Sequence, residues 1–528
     1  MARPDWRAGK SERRFLALIC GIAAALAHPP LGYLLGLLGY AGLLWLTETT
    51  AGTTPRRSAF LLGWLAGTGY FAVGTWWIAE AFFVDVAAHG WMAPFAVTFM
   101  ASGLGLFWGA AAALYRTLPA RGPLRVFVFA GALGLMEFAR GHILSGFPWD
   151  LPGETWEAGS AMSQGAALIG AYGMTVFTVA LGAAPRLWEE RRGGRAVLLV
   201  IAATTAGLYY WGRERLANAE TKAPDAPALR IVQPNLPQEA KYDPGRFAAI
   251  VETYVRLTAQ PPAAGKPPPD IVFWPEGAIP AAANDYLAPG TWTAEAITGA
   301  LRPGQRLVIG AYRVAPDPAG DRYFNVLIGL RREGASLRTL AVYDKFRLVP
   351  FGEFLPLESV LAPLGIKKLV QVGDGFSIGP RPRPVSLGDG MIIQPLICYE
   401  SLFPGFTREG AAAAGQRARL LVNLSNDAWF GATSGPLQHL NLASYRAIEE
   451  GIPMVRATPT GVSALIDAYG RVMSGARLTH GEEGVIDARL PPNLAPTPFS
   501  RWGDTTFWLL ELCCVLALVG GTRLRGAT

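Results

Sequence analysis

Residues 391–400 read Met391-Ile392-Ile393-Gln394-Pro395-Leu396-Ile397-Cys398-Tyr399-Glu400. The run from Met391 to Ile397 has the composition of a buried β-strand, and Cys398 stands where that strand ends. Two other stretches share the plan: Ile271-Val272-Phe273-Trp274-Pro275-Glu276 and Ala341-Val342-Tyr343-Asp344-Lys345. Sheet proteins commonly present reactive groups at the carboxyl ends of strands. A carboxylate, an ammonium and a thiol emerging from three apolar strands are therefore candidates for one site. Taken singly, each has an ordinary explanation: a loop Glu after Pro, a solvated Lys after Asp, a core Cys after Leu-Ile.

Around these three, short runs rich in Val, Ile, Leu and Tyr predict further strands at Ala228–Val232, Arg306–Tyr312, Tyr323–Leu330, Arg419–Leu424, Met454–Ala457 and Ala464–Ala468. Helical patterns fit Phe247–Thr258 and Leu437–Glu450. The mixture predicts a layered α/β domain with sheets covered by helices. Residues 213–227 read as a polar linker into it, 259–269 as a Pro- and Ala-rich loop, and no internal repeat is visible.

The rest of the chain is of another kind. It has 528 residues, 51% hydrophobic and 16% charged, too apolar for an ordinary soluble enzyme and too long for one domain. Residues 59–79, 91–115, 165–185 and 196–212 contain no Asp, Glu, Lys or Arg, and a bilayer crossing needs roughly 20 apolar residues. Stretches 15–28, 31–47, 126–139 and 505–521 bring the expected spans to eight. Glu137 and Glu511 fall in the last two. An acid inside a membrane can be functional; the ordinary reading pairs Glu137 with Arg140 and turns Glu511 toward other helices.

The pI of 9.2 does not imply nucleic acid, because of where the charge lies. Residues 1–14, 49–58, 116–125, 186–195 and 522–528 carry 16 Lys/Arg and 4 Asp/Glu, a net +12 against the chain's +7, which leaves −5 for everything else. Those segments are the two termini and alternate connections, and the intervening loops 81–90 and 141–163 contain no Lys or Arg. This positive-inside pattern predicts both termini in the cytoplasm and residues 213–504 outside it. Trp76, Trp77, Trp91 and Trp149 fall near outer span ends, where an aromatic belt is expected. The first 28 residues also resemble a signal peptide, with Ala25-Leu26-Ala27 as a cleavage site; removing one span would reverse the charge asymmetry, so retention is the expectation. Domains are accordingly expected at 1–212 (seven helices), 213–504 and 505–528.

With Cys20, Cys513 and Cys514 in spans, the outer domain has one thiol, Cys398, and no disulfide of its own. A thiol with a pKa of about 8.5 is mostly protonated near neutrality and needs a base. Glu276 can serve if burial raises its pKa, and Lys345 can offset the charge of a thiolate and then of a tetrahedral oxyanion. That combination makes acyl-transfer chemistry through a thioester. His28, His89, His142, His439 and His480 form no metal or triad spacing, there is no GxSxG elbow, and no cofactor is expected.

The segments Phe273-Trp274-Pro275-Glu276, Tyr343-Asp344-Lys345 through Pro350-Phe351-Gly352-Glu353, and Cys398-Tyr399-Glu400 resemble the Glu-Lys-Cys motifs of the carbon-nitrogen hydrolase (nitrilase) superfamily. With eight spans around them, and with Gln233-Pro234-Asn235-Leu236-Pro237-Gln238, Ser425-Asn426-Asp427-Ala428-Trp429-Phe430-Gly431 and Gly435-Pro436-Leu437-Gln438-His439, the chain is similar throughout to the membrane N-acyltransferase branch of that superfamily.

The resemblance implies an eight-helix transmembrane bundle plus an extracytoplasmic α-β-β-α sandwich in a bacterial inner membrane. It implies Glu276 as general base, Lys345 as stabiliser of the tetrahedral intermediate and Cys398 as the acylated nucleophile. Glu353 would support the trio, Tyr399 and Glu400 would shape the pocket, and Asn426 and Trp429 would organise the loop beside Cys398. The implied reaction is ping-pong: a phospholipid acylates Cys398, and the α-amine of diacylglyceryl-cysteine in an apolipoprotein takes the acyl group. Both substrates are lipid-anchored, so the site is expected to open toward the bilayer, with residues 354–370 as a mobile arm. A membrane-tethered amidase that passes the acyl group to water, and a non-catalytic lipid or lipoprotein binder, are the alternatives.

Overall fold

Strand residues of residues 228–489 alternate between two apolar environments, and that alternation builds the layers. A computed structural model of the chain describes residues 9–50, 53–190, 193–220, 223, 225–318, 320–355 and 375–523. They form two compact units, residues 218–501 and residues 1–217 with 502–528. Most of the expected arm, from residue 356 on, lies outside the described residues.

In the unit 218–501, twelve strands among the described residues make two six-stranded sheets. They are β1 (Ala228–Gln233), β2 (Ile271–Trp274), β3 (Arg306–Ala315), β4 (Arg322–Glu333), β5 (Ser336–Asp344), β6 (Val385–Ser386), β7 (Ile392–Ile397), β8 (Leu420–Leu424), β9 (Met454–Ala457), β10 (Ser463–Ile466), β11 (Val472–Leu478) and β12 (Gly484–Arg489). The sheet orders are β12-β1-β2-β3-β4-β5 and β6-β7-β8-β9-β10-β11. Each sheet reads antiparallel, parallel, parallel, antiparallel, antiparallel in that order. The fold is thus duplicated in its pairing although no repeat is visible in the residues.

Leu229, Ile231, Ile271 and Phe273 of one sheet pack with Ile393, Ile397, Val422 and Val455 of the other, so the sheets stack face to face. The alternate residues Val232, Val272 and Trp274 point the other way, against Ile250 and Tyr254 of helix Phe247–Ala259 and Ile297 of helix Trp292–Ala300. Buried Arg230 joins β1 to β12: it makes a bidentate pair with Asp487 at 2.8 Å, its register partner, and Nη1 donates to Leu257 and Thr258 carbonyls left over at the end of helix Phe247–Ala259. Helix Gly435–Glu450 is buried along nearly its whole length and packs beside helix Phe406–Ala414. This is a nitrilase-like α/β domain.

The other unit is helical. Eight helices of eleven residues or more occur there among the described residues: Lys10–Leu26, Leu38–Glu48, Pro55–Gly74, Ala93–Thr117, Arg125–His142, Ala166–Ala183, Gly194–Ala217 and Thr505–Arg523. They fall on the eight apolar stretches. Among the described residues two segments, Gly90–Thr117 and Met162–Trp188, are by themselves long and apolar enough to cross a membrane, against the eight spans expected. Small residues bring the helices close: a Cβ on Gly67 would lie 2.7 Å from the Gly105 Cα. Glu137 is fully buried and accepts from Arg140 Nε at 2.9 Å and from Trp108 Nε1 at 2.6 Å, while Arg140 Nη1 donates to the Trp149 carbonyl at 3.0 Å. Glu511 lies against Gly131 and Gly134 of helix Arg125–His142. The belt expectation fails for two tryptophans. Trp76 and Trp91 are exposed, whereas Trp77 and Trp149 are buried against each other with ring centroids 4.5 Å apart.

Candidate active site

Each residue of the expected trio leaves the carboxyl end of its strand. Pro275-Glu276 follows β2, Lys345 follows β5, and Cys398 follows β7. Gly310 of β3 makes room for the first turn, since a Cβ there would come within 2.5 Å of the Glu276 Cα. Cys398 holds φ at +48°, a left-handed conformation that a non-glycine residue keeps only when its surroundings fix it.

Lys345 is fully buried, and its backbone N–H donates to the Asn325 carbonyl at 2.8 Å. Its Nζ donates to Glu353 Oε1 at 2.9 Å and Glu276 Oε1 at 3.3 Å. Asn325 Nδ2 donates to the same two oxygens, 2.7 Å each, and Glu353 Oε2 accepts from the Val349 N–H at 2.9 Å. Two carboxylates thus share one ammonium and one amide. Burial works against the Lys345 charge, but Glu276, Glu353 and Cys398 outweigh it and hold the pKa above the ordinary lysine range. The Cys398 thiol is pushed up to about 12, first by burial and then by Glu276, with Lys345 pulling the other way. The resting sulfur is therefore a thiol under the opposed influence of a carboxylate and an ammonium.

Glu353 shares the Lys345 ammonium and the Asn325 amide with Glu276. Tyr399 is buried with its ring 5.1 Å from Phe403. Glu400 is fully buried and clamps two loops. Its Oε1 accepts from Tyr343 OH at 2.9 Å, the Phe346 N–H at 2.8 Å and the Arg347 N–H at 3.2 Å, and its Oε2 accepts from the Ile397 N–H at 2.8 Å. One carboxylate so ties the loop after Lys345 to the strand end before Cys398. Burial raises Glu400 to about 7, against the pull of those N–H donors. Asn426 Nδ2 donates to Gln238 Oε1 at 2.9 Å, and Trp429 lies in the turn Asp427–Phe430.

Several site residues escaped the sequence reading. Asn325 is one polar side chain in the apolar run of β4, which was its signal. Lys241 is half-buried with Nζ 3.5 Å from the Glu276 carbonyl, and burial lowers it to about 8. Behind Cys398, Asn423 and Arg456 also escaped the sequence reading; they are buried, and Arg456 bonds Asp427, which in turn bonds Ser425 and His439, all three within segments quoted from the sequence. Arg456 within the apolar β9 was their signal. His439 has the structural role expected of a lone histidine, bonded to Asp427 and Ser401.

A domain of two stacked mixed sheets with Glu, Lys and Cys at three strand ends is of the carbon-nitrogen hydrolase class, and the carbon-nitrogen hydrolase family matches residues 228–497. The apolipoprotein N-acyltransferase N-terminal domain matches residues 20–184. An apolipoprotein N-acyltransferase of Caulobacter vibrioides is 55% identical over 498 residues, covering 94% of this chain and 92% of that one. Those of Allorhizobium ampelinum and Brucella melitensis are 37% and 36% identical, covering 98% and 97% of this chain and 96% and 95% of theirs. The chain belongs to the apolipoprotein N-acyltransferase family and is an N-acyltransferase.

Proposed function

We propose that the chain moves a fatty acyl group from a phospholipid to the N-terminal α-amine of diacylglyceryl-cysteine in an apolipoprotein, ping-pong through a thioester on Cys398. The observation that carries this reading is Lys345, buried, charged and bonded to Glu276 and Glu353 next to a protonated thiol. Such a thiol ionises as it attacks. Glu276 takes the S–H proton while sulfur adds to the ester carbonyl, and Lys345 faces the oxyanion that forms. Collapse expels a lysophospholipid alkoxide, which receives the proton from Glu276. In the second half the α-amine adds to the thioester, Glu276 accepts its proton and the Cys398 thiolate leaves. Glu353 fixes Lys345 throughout, and the scheme uses no cofactor.

The same proposal places the chain in the bacterial inner membrane with eight spans, both termini cytoplasmic and residues 213–504 periplasmic. The net +12 on termini and alternate connections supports it. The test is intact-mass analysis of the detergent-solubilised full chain after incubation with phospholipid. An acyl adduct that maps to Cys398, is missing in Cys398→Ala and passes to a diacylglyceryl peptide is expected. An adduct lost only to water would make the protein a hydrolase, and phospholipid binding without any adduct would make it a binder.

A further inference from the structure

The strand register sets a second group beside the nucleophile. In the parallel pair β7/β8, Leu396 stands opposite Asn423 and Ile397 opposite Leu424, so the next residues, Cys398 and Ser425, leave adjacent strand ends together. Ser425 is fully buried, it acts on the Cys398 thiol in the direction of a lower pKa, and its hydroxyl donates to Asp427 Oδ1 at 2.8 Å.

Asp427 is over-determined. Arg456 Nη2 donates to both its oxygens, at 2.9 and 2.7 Å, and His439 Nδ1 lies 3.2 Å from Oδ1. From there a ring closes on the backbone of Cys398. His439 Nε2 is 3.1 Å from Ser401 Oγ, which donates to the Cys398 carbonyl at 2.9 Å; Arg456 also bonds Asn423 Oδ1, and Asn423 Nδ2 donates to the Leu396 carbonyl at 2.7 Å and the Cys398 carbonyl at 3.4 Å. All these side chains are at most 2% exposed. The ring fixes the left-handed turn at Cys398, and Asp427 is the one member joined to both the carbonyl side and the thiol side.

We infer that Ser425 is a catalytic residue that switches its hydroxyl hydrogen from Asp427 to the Cys398 sulfur as the thiolate forms, with Asp427 as the positioning residue that aims it. In the resting state the Ser425 O–H points to Asp427. When Glu276 takes the thiol proton, the Ser425 hydroxyl rotates and donates to the sulfur anion. Asp427 is not stranded by this, because Arg456 and His439 continue to satisfy it. A neutral donor turned onto an anion favours that anion over the thiol. The inference deepens the thioester reading above and rests on it.

The test is the pH profile of Cys398 alkylation by iodoacetamide in the detergent-solubilised full chain, followed by peptide mapping so that the other three thiols do not interfere. Ser425→Ala is expected to shift the profile to higher pH and to slow alkylation at pH 8 about tenfold. Ser425→Thr, which keeps the hydroxyl, should restore it, and acyl-enzyme formation from phospholipid should follow the same order. Asp427→Asn, with Ser425 intact but less firmly aimed, is expected to fall between and reads the same arm should Ser425→Ala not fold. Unshifted profiles in Ser425→Ala and Asp427→Asn overturn the inference while leaving Cys398 as nucleophile. Failure of the unaltered protein to form any acyl adduct sinks the thioester reading instead.

Discussion

Glu276 acts on Cys398 in two opposed ways, and they can be separated. Its negative charge raises the thiol, to about 12 together with burial, yet the proposed attack needs the same carboxylate as base. Glu276→Gln should therefore lower the thiol pKa and speed iodoacetamide alkylation at a given pH, while acyl-enzyme formation from phospholipid falls by about a hundredfold or more. Parallel loss of both would remove Glu276 from the base role. Glu400 supplies a pH signature. Its folded carboxyl holds a proton up to about pH 7 against 4.5 ordinarily, so between those values the folded state binds more protons than the unfolded one. Stability attributable to this group is present below about 4.5 and declines as pH rises through about 7. Thermal melts of Glu400→Gln should lack that slope, and an unchanged slope would assign it to another group.

Elements matter here through the places where backbones meet. Gly310→Ala pushes a methyl into the Pro275-Glu276 turn, where a Cβ has 2.5 Å to the Glu276 Cα. The expected result is loss of acyl-enzyme formation by at least tenfold, since the Glu276 carboxylate moves off Lys345; full activity would show that the turn relaxes freely. Arg230→Ala leaves Asp487 buried and unpaired at the β1/β12 junction, and chemical denaturation should report a loss of about 3–5 kcal/mol from the domain. The strands ending in Glu276, Lys345 and Cys398 were legible because unbroken apolar runs form them. β11 and β12 were not: Ser474-Gly475 interrupts one, and Asp487 and Arg489 give the other the look of a loop. Asp487 becomes a strand residue only because Arg230 faces it.

For the whole molecule, the charge asymmetry makes a topological prediction. Alkaline phosphatase fused after residue 195 should be inactive in cells, and fused within residues 218–227 active; the reverse pattern would invert the proposed orientation. The composition that separates a helical part from an α/β part is visible residue by residue, and the two compact units divide at 217/218 and 501/502. Buried polar pairs in the helical unit, such as Glu137 with Arg140, were also legible, because partners one turn apart on a helix need no tertiary information. The burial of Trp77 and Trp149 was not, because it depends on which helix ends come together.

What the sequence alone determined is the kind of chemistry and the residues proposed to carry it. Apolar strands are local patterns, and a thiol, an ammonium and a carboxylate at their ends keep their identity whatever the packing. What only the tertiary structure decided is how those residues are held. Asn325 bridging Glu276 and Glu353, Glu400 clamping two loops, and the Asp427 ring behind Cys398 join residues up to 57 positions apart through hydrogen bonds. Hydrogen bonds of that kind act over about 3 Å and carry no signature along the chain.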